Sequence, residues 1–286
     1  MDTGTSDRGF TLALLIITLM FIIPIIIGVY LEYQRRQVQP VEVQKSVAGI
    51  NWRWRAYINP TAYSDKAYAV CEAGDYIYVV GSQSCGGWIC GRIEVRHKVN
   101  GSLVNAFNIE GVTGDLIDCA IGGGKLYAIS RNYLPSSIHV FDLEFIFDPI
   151  LFKLNVRSTA GKGYFTSILF FDNHIYVAGY GYSGLDLIVE KRRADNLELV
   201  KERTTNPPTG GGEGAFIGIN PVTKQLWVVG HTSGLWIEIL DLDLNLVKVV
   251  KKIDIGGRGR VVVFDEEGNA YVVGEWFVAK FDKEGR

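Results

Sequence analysis

Four carboxylates stand at or beside short apolar segments, where they could work as acid–base pairs: Asp65, Asp115, Asp118 and Glu213. Hydrolysis of a glycosidic bond needs one carboxylic acid to protonate the leaving oxygen and a second carboxylate to activate water or attack, the two lying about 5–9.5 Å apart. The corresponding later segments, FTSILF at 165–170 and RVVVF at 260–264, begin without an acid, and short acids also serve as turn and cap residues. A second set mixes aromatic faces with a few polar groups: Tyr63, Trp88, Arg131, Tyr133, Tyr180, Tyr182, His231 and Trp276. Such a mixture suits a shallow pocket for a glycan, a peptide or a protein partner. Its members fall mostly in the longer connections, including 59–66, 81–91, 130–137 and 179–185, where function tends to sit on a rigid scaffold.

The four cysteines divide into two pairs. Cys85 and Cys90 flank GGWI in one loop and are candidates for a loop-closing disulfide in an oxidising compartment. Cys71 and Cys119 occupy matching points of two apolar segments and are expected as buried thiols, with a disulfide between them as the alternative. No metal site is expected: only His97 lies near the Cys85–Cys90 loop, and DLDLNL at 241–246 lacks the glycine and final acid of a calcium loop. GGGK at 122–125 has the wrong spacing for a phosphate loop and reads as a hairpin turn, so no cofactor is expected. Asn100-Gly101-Ser102 is a glycosylation sequon. With a formal net charge of −2, the chain has no basic excess with which to grip nucleic acid.

The elements that must position these residues show themselves as a repeat. One phrase recurs five times: IYVVG at 77–81, LYAIS at 126–130, IYVAG at 175–179, LWVVG at 226–230 and AYVVG at 270–274, at spacings of 49, 49, 51 and 44 residues. Each copy follows an apolar segment and a tight Gly, Asp or Asn turn, and precedes an alternating segment, which predicts four-stranded antiparallel units. The fourth strand of the second unit is expected at PILFKLNV, 149–156, and the fifth unit ends without one. The period and strand order resemble those of β-propeller families, and the resemblance covers 51–286. It implies an all-β, five-bladed β-propeller closed by an N-terminal strand, with NWRWRAYI at 51–58 supplying the missing strand of the last blade. Among five-bladed families, the arabinanase-like and invertase-like glycoside hydrolases place carboxylates around the axis. That comparison makes the four acids the catalytic candidates, although the motifs of those families are absent.

Residues 10–31 form an uncharged run of 22 residues, long enough to cross a hydrocarbon core as one transmembrane α-helix and longer than the core of a cleaved signal peptide. The expected organisation is a tail at 1–9, the helix at 10–31, a linker at 32–50 and the propeller at 51–286. Arg35, Arg36 and Lys45 after the helix favour a cytoplasmic domain, whereas folded domains translocate regardless of a few charges. The expected localisation is therefore a single-pass cell-membrane protein with its propeller outside, partnered with the membrane through 10–31. Arg8-Gly9-Phe10-Thr11-Leu12 resembles the processing site of type IV pilin-like proteins, but Leu14 stands where such chains carry Glu. Three roles follow as expectations: an anchored binding or docking module, a glycoside hydrolase, or a pilin-like or membrane-complex assembly component.

Overall fold

The computed structural model describes residues 65–131, 136–145, 157–160, 163–181, 186–206, 215–231, 234–252 and 254–286. The chain divides into two compact units, Met1–Ala62 and Tyr63–Arg286, and every described residue belongs to the second. That unit is built from antiparallel strands, with a single 3-10 turn at Leu143–Phe145 as the only helical element among the described residues.

Five sheets follow one another along the chain. The first holds β1 (Lys66–Ala73), β2 (Tyr76–Cys85), β3 (Trp88–His97) and β4 (Leu103–Thr113). The second holds β5 (Asp115–Gly122), β6 (Lys125–Arg131), β7 (Ser137–Asp142) and β8 (Arg157–Ala160), and the third β9 (Tyr164–Phe171), β10 (His174–Tyr180), β11 (Leu187–Arg193) and β12 (Leu199–Thr205). The fourth holds β13 (Phe216–Ile219), β14 (Leu226–His231), β15 (Leu235–Leu240) and β16 (Leu246–Lys252), and the fifth only β17 (Gly259–Phe264), β18 (Ala270–Gly274) and β19 (Val278–Phe281). The repeated phrase is the second strand of every sheet. The fourth strand of the second sheet is described at Arg157–Ala160, and the expected segment 149–156 lies outside the described residues.

Strand periodicity explains why the phrase is apolar throughout rather than alternating. In β10, Ile175 and Val177 face the second sheet while Tyr176 and Ala178 face the fourth, and all four are buried. A strand covered on both faces reads as a continuous apolar run. The core is accordingly four apolar layers, one between each pair of consecutive sheets. First strands neighbour one another in order, β1 on β5, β5 on β9, β9 on β13 and β13 on β17.

Side chains then tie each layer. The Tyr68 hydroxyl donates to Asp115 Oδ2 at 2.9 Å, Ile168 N donates to Asp118 Oδ2 at 2.9 Å, the Thr166 hydroxyl donates to the Ala215 carbonyl, and Asn220 Nδ2 donates to Gly268 O at 2.8 Å. The aromatic residue of the phrase reaches the next sheet's outer hairpin: Tyr127 donates to Ala194 O at 3.0 Å and Tyr176 to Leu242 O at 3.1 Å. The closing glycine of the phrase is required by close approach. At Gly179 the β9–β10 ladder bulges, and a Cβ there would overlap the Tyr164 carbonyl.

These findings correct the expected architecture. An all-β fold of five antiparallel sheets stands where a closed five-bladed propeller was expected, and among the described residues no sheet is closed into a ring. The fifth sheet ends at β19 with three strands among the described residues, and the expected closing strand, 51–58, lies outside them. Packing explains the difference. The far face of the fifth sheet leaves Val261, Val263, Val273 and Val278 exposed, the last at 71%, and β1 leaves Val70 exposed at 61%. A closed ring would bury both faces.

The membrane expectations are corrected as well. No helix among the described residues is long and apolar enough to cross a membrane. The run 10–31, the linker 32–50 and the pilin-like N-terminus with Gly9 lie outside the described residues. Neither a membrane partnership nor a single-pass localisation with the domain outside finds support in the fold.

Candidate functional site

The connection between the second and third strands contributes one sequence-predicted residue from each sheet. Trp88 opens β3, Arg131 ends β6, Tyr180 ends β10, His231 ends β14, and Trp276 lies between β18 and β19. Tyr63, Tyr133, Tyr182 and Glu213 lie outside the described residues.

Exposure separates the two tryptophans from Tyr180 and His231. Trp88 is 74% and Trp276 87% exposed, and Ile89 beside Trp88 is exposed too. Tyr180 instead stacks on Tyr164, with ring centroids 5.0 Å apart. His231 Nδ1 lies 3.3 Å from the Gly257 carbonyl, and a Cβ on Gly257 would lie 3.2 Å from Trp276 Cδ1, so His231 and Trp276 flank one backbone turn. Beside them Arg260 pairs with Glu275 at 2.5 Å, which holds the Glu275 carboxyl below its ordinary range.

Three of the four candidate carboxylates are described, and each is held by contacts within the fold. Asp65 Oδ1 accepts from Ser84 N at 3.2 Å. Asp115 takes the Tyr68 hydroxyl and lies 3.6 Å from Arg131 Nη2, so Asp115 and Arg131 are brought together, while its Oδ1 is buried without a partner. Burial pushes the Asp118 carboxyl above its usual range, as a general acid would need, against the opposing hydrogen bonds from the backbone N–H groups of Ile168 and Cys119. Both Asp118 oxygens are occupied by those N–H groups, at 2.9 Å each, which makes it a tie between β5 and β9. No group of three or more His, Cys, Asp or Glu side chains among the described residues could hold a metal ion. In the DLDLNL segment the oxygens are taken by Asp243 N, Asn245 N and the Lys191 and Lys201 ammonium groups.

Both cysteine pairs are disulfide-bonded. Cys85–Cys90 clips the β2–β3 hairpin across its exposed tip. Cys71–Cys119 joins the first and second sheets within their shared apolar layer, which corrects the expectation of buried thiols there. Asn100 is exposed in the β3–β4 turn, its Oδ1 accepting from Ser102 N at 2.9 Å.

Charged groups that sequence reasoning passed over lie buried on the third strands. In β3, Glu94 accepts from Arg92 on Oε1 and from Arg96 on Oε2, while Arg96 Nη1 donates to Gly101 O at 2.9 Å. In β11, Arg192 pairs with Glu190 at 2.6 Å and donates to Leu197 O at 2.8 Å. A Glu-x-Arg on the third strand thus clamps the following hairpin turn in the first and third sheets. The signal was present as Glu94-Val-Arg96 and Glu190-Lys-Arg192, two repeats apart. At the equivalent position of the fourth sheet, Glu238 reaches across to Arg203 of the third at 2.9 Å.

No protein-family model matches the chain, and no curated protein matches it. Three solved structures are similar in fold. A protein of unknown function from Bacteroides caccae matches with a TM-score of 0.51 and 10% identity, over 74% of this chain and 71% of that one. A nidogen/laminin complex matches with a TM-score of 0.55 and 12% identity, over 85% of each chain. Hydrazine synthase from Kuenenia stuttgartiensis matches with a TM-score of 0.52 and 13% identity, over 79% of this chain and 70% of that one. At such identities the likeness is one of fold alone. It supports none of the expected roles as anchored binding or docking module, glycoside hydrolase or assembly component, and those expectations are corrected to an all-β domain without an assigned activity.

Proposed function

We propose that the unit 63–286 acts as a rigid, disulfide-stapled scaffold whose presented surface is the set of second-to-third strand connections. One observation carries this reading. Among the described residues the candidate carboxylates are tied into the fold, Asp118 most fully, while Trp88 and Trp276 are left exposed at 74% and 87%. A large exposed aromatic on a stapled or packed turn costs little conformational freedom to hold in place, which is what a presenting surface requires. Arg131, Tyr180 and His231 hold the neighbouring connections through Asp115, Tyr164 and Gly257. Tyr63, Tyr133 and Tyr182 belong to the same proposed surface by their place in the sequence. Four cysteines in two disulfides suit an oxidising environment.

The test compares stabilities of the purified protein. Asp118→Ala should lower the free energy of unfolding, read from the shift of the urea midpoint, by about 1–3 kcal/mol, because it strands the buried Ile168 N–H. Trp88→Ala and Trp276→Ala should each change stability by less than about 0.5 kcal/mol, as exposed positions do. A midpoint that rises with Asp118→Ala would identify a strained functional acid instead, and a core-sized loss at either tryptophan would remove it from the presented surface.

A further inference from the structure

The tip of the β2–β3 hairpin carries more than a staple. Cys85 and Cys90 enclose Gly86, Gly87, Trp88 and Ile89, all four exposed, and both cysteines are themselves half-buried. In the other disulfide Cys71 is half-buried, but Cys119 is buried and packed with Leu116, Leu126 and Phe141, so only one of its sulfurs is open to approach. Thiol–disulfide exchange requires a thiolate to reach a sulfur in line with the bond it breaks, so access separates the two bonds chemically.

The surroundings of Cys85 supply a polarity. Gln83 Nε2 points its N–H at Cys85 Sγ, 3.7 Å away. Its amide orientation is set by Arg92, whose Nη1 donates to Gln83 Oε1 at 2.7 Å, and Arg92 is in turn held by Glu94 and by Asn108 Oδ1 at 3.1 Å. Gln83, Arg92 and Glu94 are buried, so this chain of donors is fixed before any reaction. A donor aimed at a sulfur favours its thiolate, and a sulfur that departs as a stabilised thiolate leaves faster.

We infer that Cys85–Cys90 is a thiol–disulfide exchange site for a dithiol reductant, in which Cys90 is the sulfur attacked and Cys85 the leaving thiolate. One thiolate of the reductant forms a bond to Cys90 Sγ as the Cys90–Cys85 bond breaks, and its electron pair goes to Cys85 Sγ beside the Gln83 N–H. The second thiolate of the reductant then attacks its own sulfur in the mixed disulfide and releases Cys90. The protein disulfide gains two electrons and two protons, and the dithiol becomes a cyclic disulfide. With the bond open, the strand ends bearing Trp88 lose their covalent tie. The exchange itself is independent of what the surface around Trp88 meets.

The test uses the full chain. After graded dithiothreitol, alkylation and peptide mapping, Cys85 and Cys90 should be modified at a reductant concentration at least about tenfold below that needed for Cys71 and Cys119. Brief exposure to glutathione should place the mixed disulfide on Cys90. Gln83→Glu keeps an acceptor for Arg92 but removes the N–H at the sulfur, so reduction should slow about three- to tenfold at a temperature where both proteins are folded. Opening of Cys71–Cys119 first or simultaneously, glutathione on Cys85, or unaltered kinetics in Gln83→Glu would each overturn the assignment. The wild-type maps decide the question even where the variant folds poorly.

Discussion

His139 shows how a residue acquires a property that its type does not announce. It sits on β7, buried, with Nε2 2.9 Å from the Ser130 hydroxyl oxygen and Nδ1 without a partner. Burial lowers its pKa from 6.5 to about 4, because an imidazolium there would lose its hydration. The unfolded chain takes up a proton as pH falls through about 6.5, whereas the folded chain refuses it until about 4. The contribution is therefore fully present above pH 6.5 and lost between there and 4, up to about 3 kcal/mol. Urea midpoints measured from pH 7 to 4 should fall with a slope that His139→Leu reduces by up to one proton. Neither the depressed pKa nor the role of Asp118 was legible in sequence, since both depend on neighbours brought from other segments.

At the scale of elements, the strands were the most readable feature. Period-two alternation and Gly-Asp-Asn turns are local, so the five second strands and the hairpins around them follow from short windows of sequence. The fourth strand of the second sheet is described at Arg157–Ala160, which pairs with β7, while the expected run PILFKLNV at 149–156 directly before it lies outside the described residues. The Glu-x-Arg clamps were present as letters but gave no sign of burial. Glu190 is fully buried and faces Arg192 at 2.6 Å. Glu190→Gln should cost about 3–5 kcal/mol in chemical unfolding, because it removes the carboxylate that faces the buried Arg192 charge at 2.6 Å. Adding Arg192→Met to that variant should recover part of the loss, since the buried charge then goes too.

For the whole unit, the order of sheets along the chain is also their order in space, so most contacts join neighbours in sequence. Cys71–Cys119 is the covalent expression of that order, linking the first two sheets across a separation of 48 residues. Replacing both cysteines with alanine should lower stability by about 4 kcal/mol through the freed unfolded chain, measured as a shift in the chemical unfolding midpoint under non-reducing conditions. Loss of Cys85–Cys90, which closes a loop only 5 residues apart in sequence, should cost less.

The sequence by itself determined the all-β class, the five repeats and the turns between strands, because each rests on side-chain alternation and backbone preference within a few residues. Tertiary structure alone decided which acids became ties, that Cys71 met Cys119, and that the outer faces at Val70 and Val278 stay uncovered among the described residues. Those outcomes depend on packing and desolvation between segments that the chain brings together from different strands and sheets. Local pattern carries no record of them.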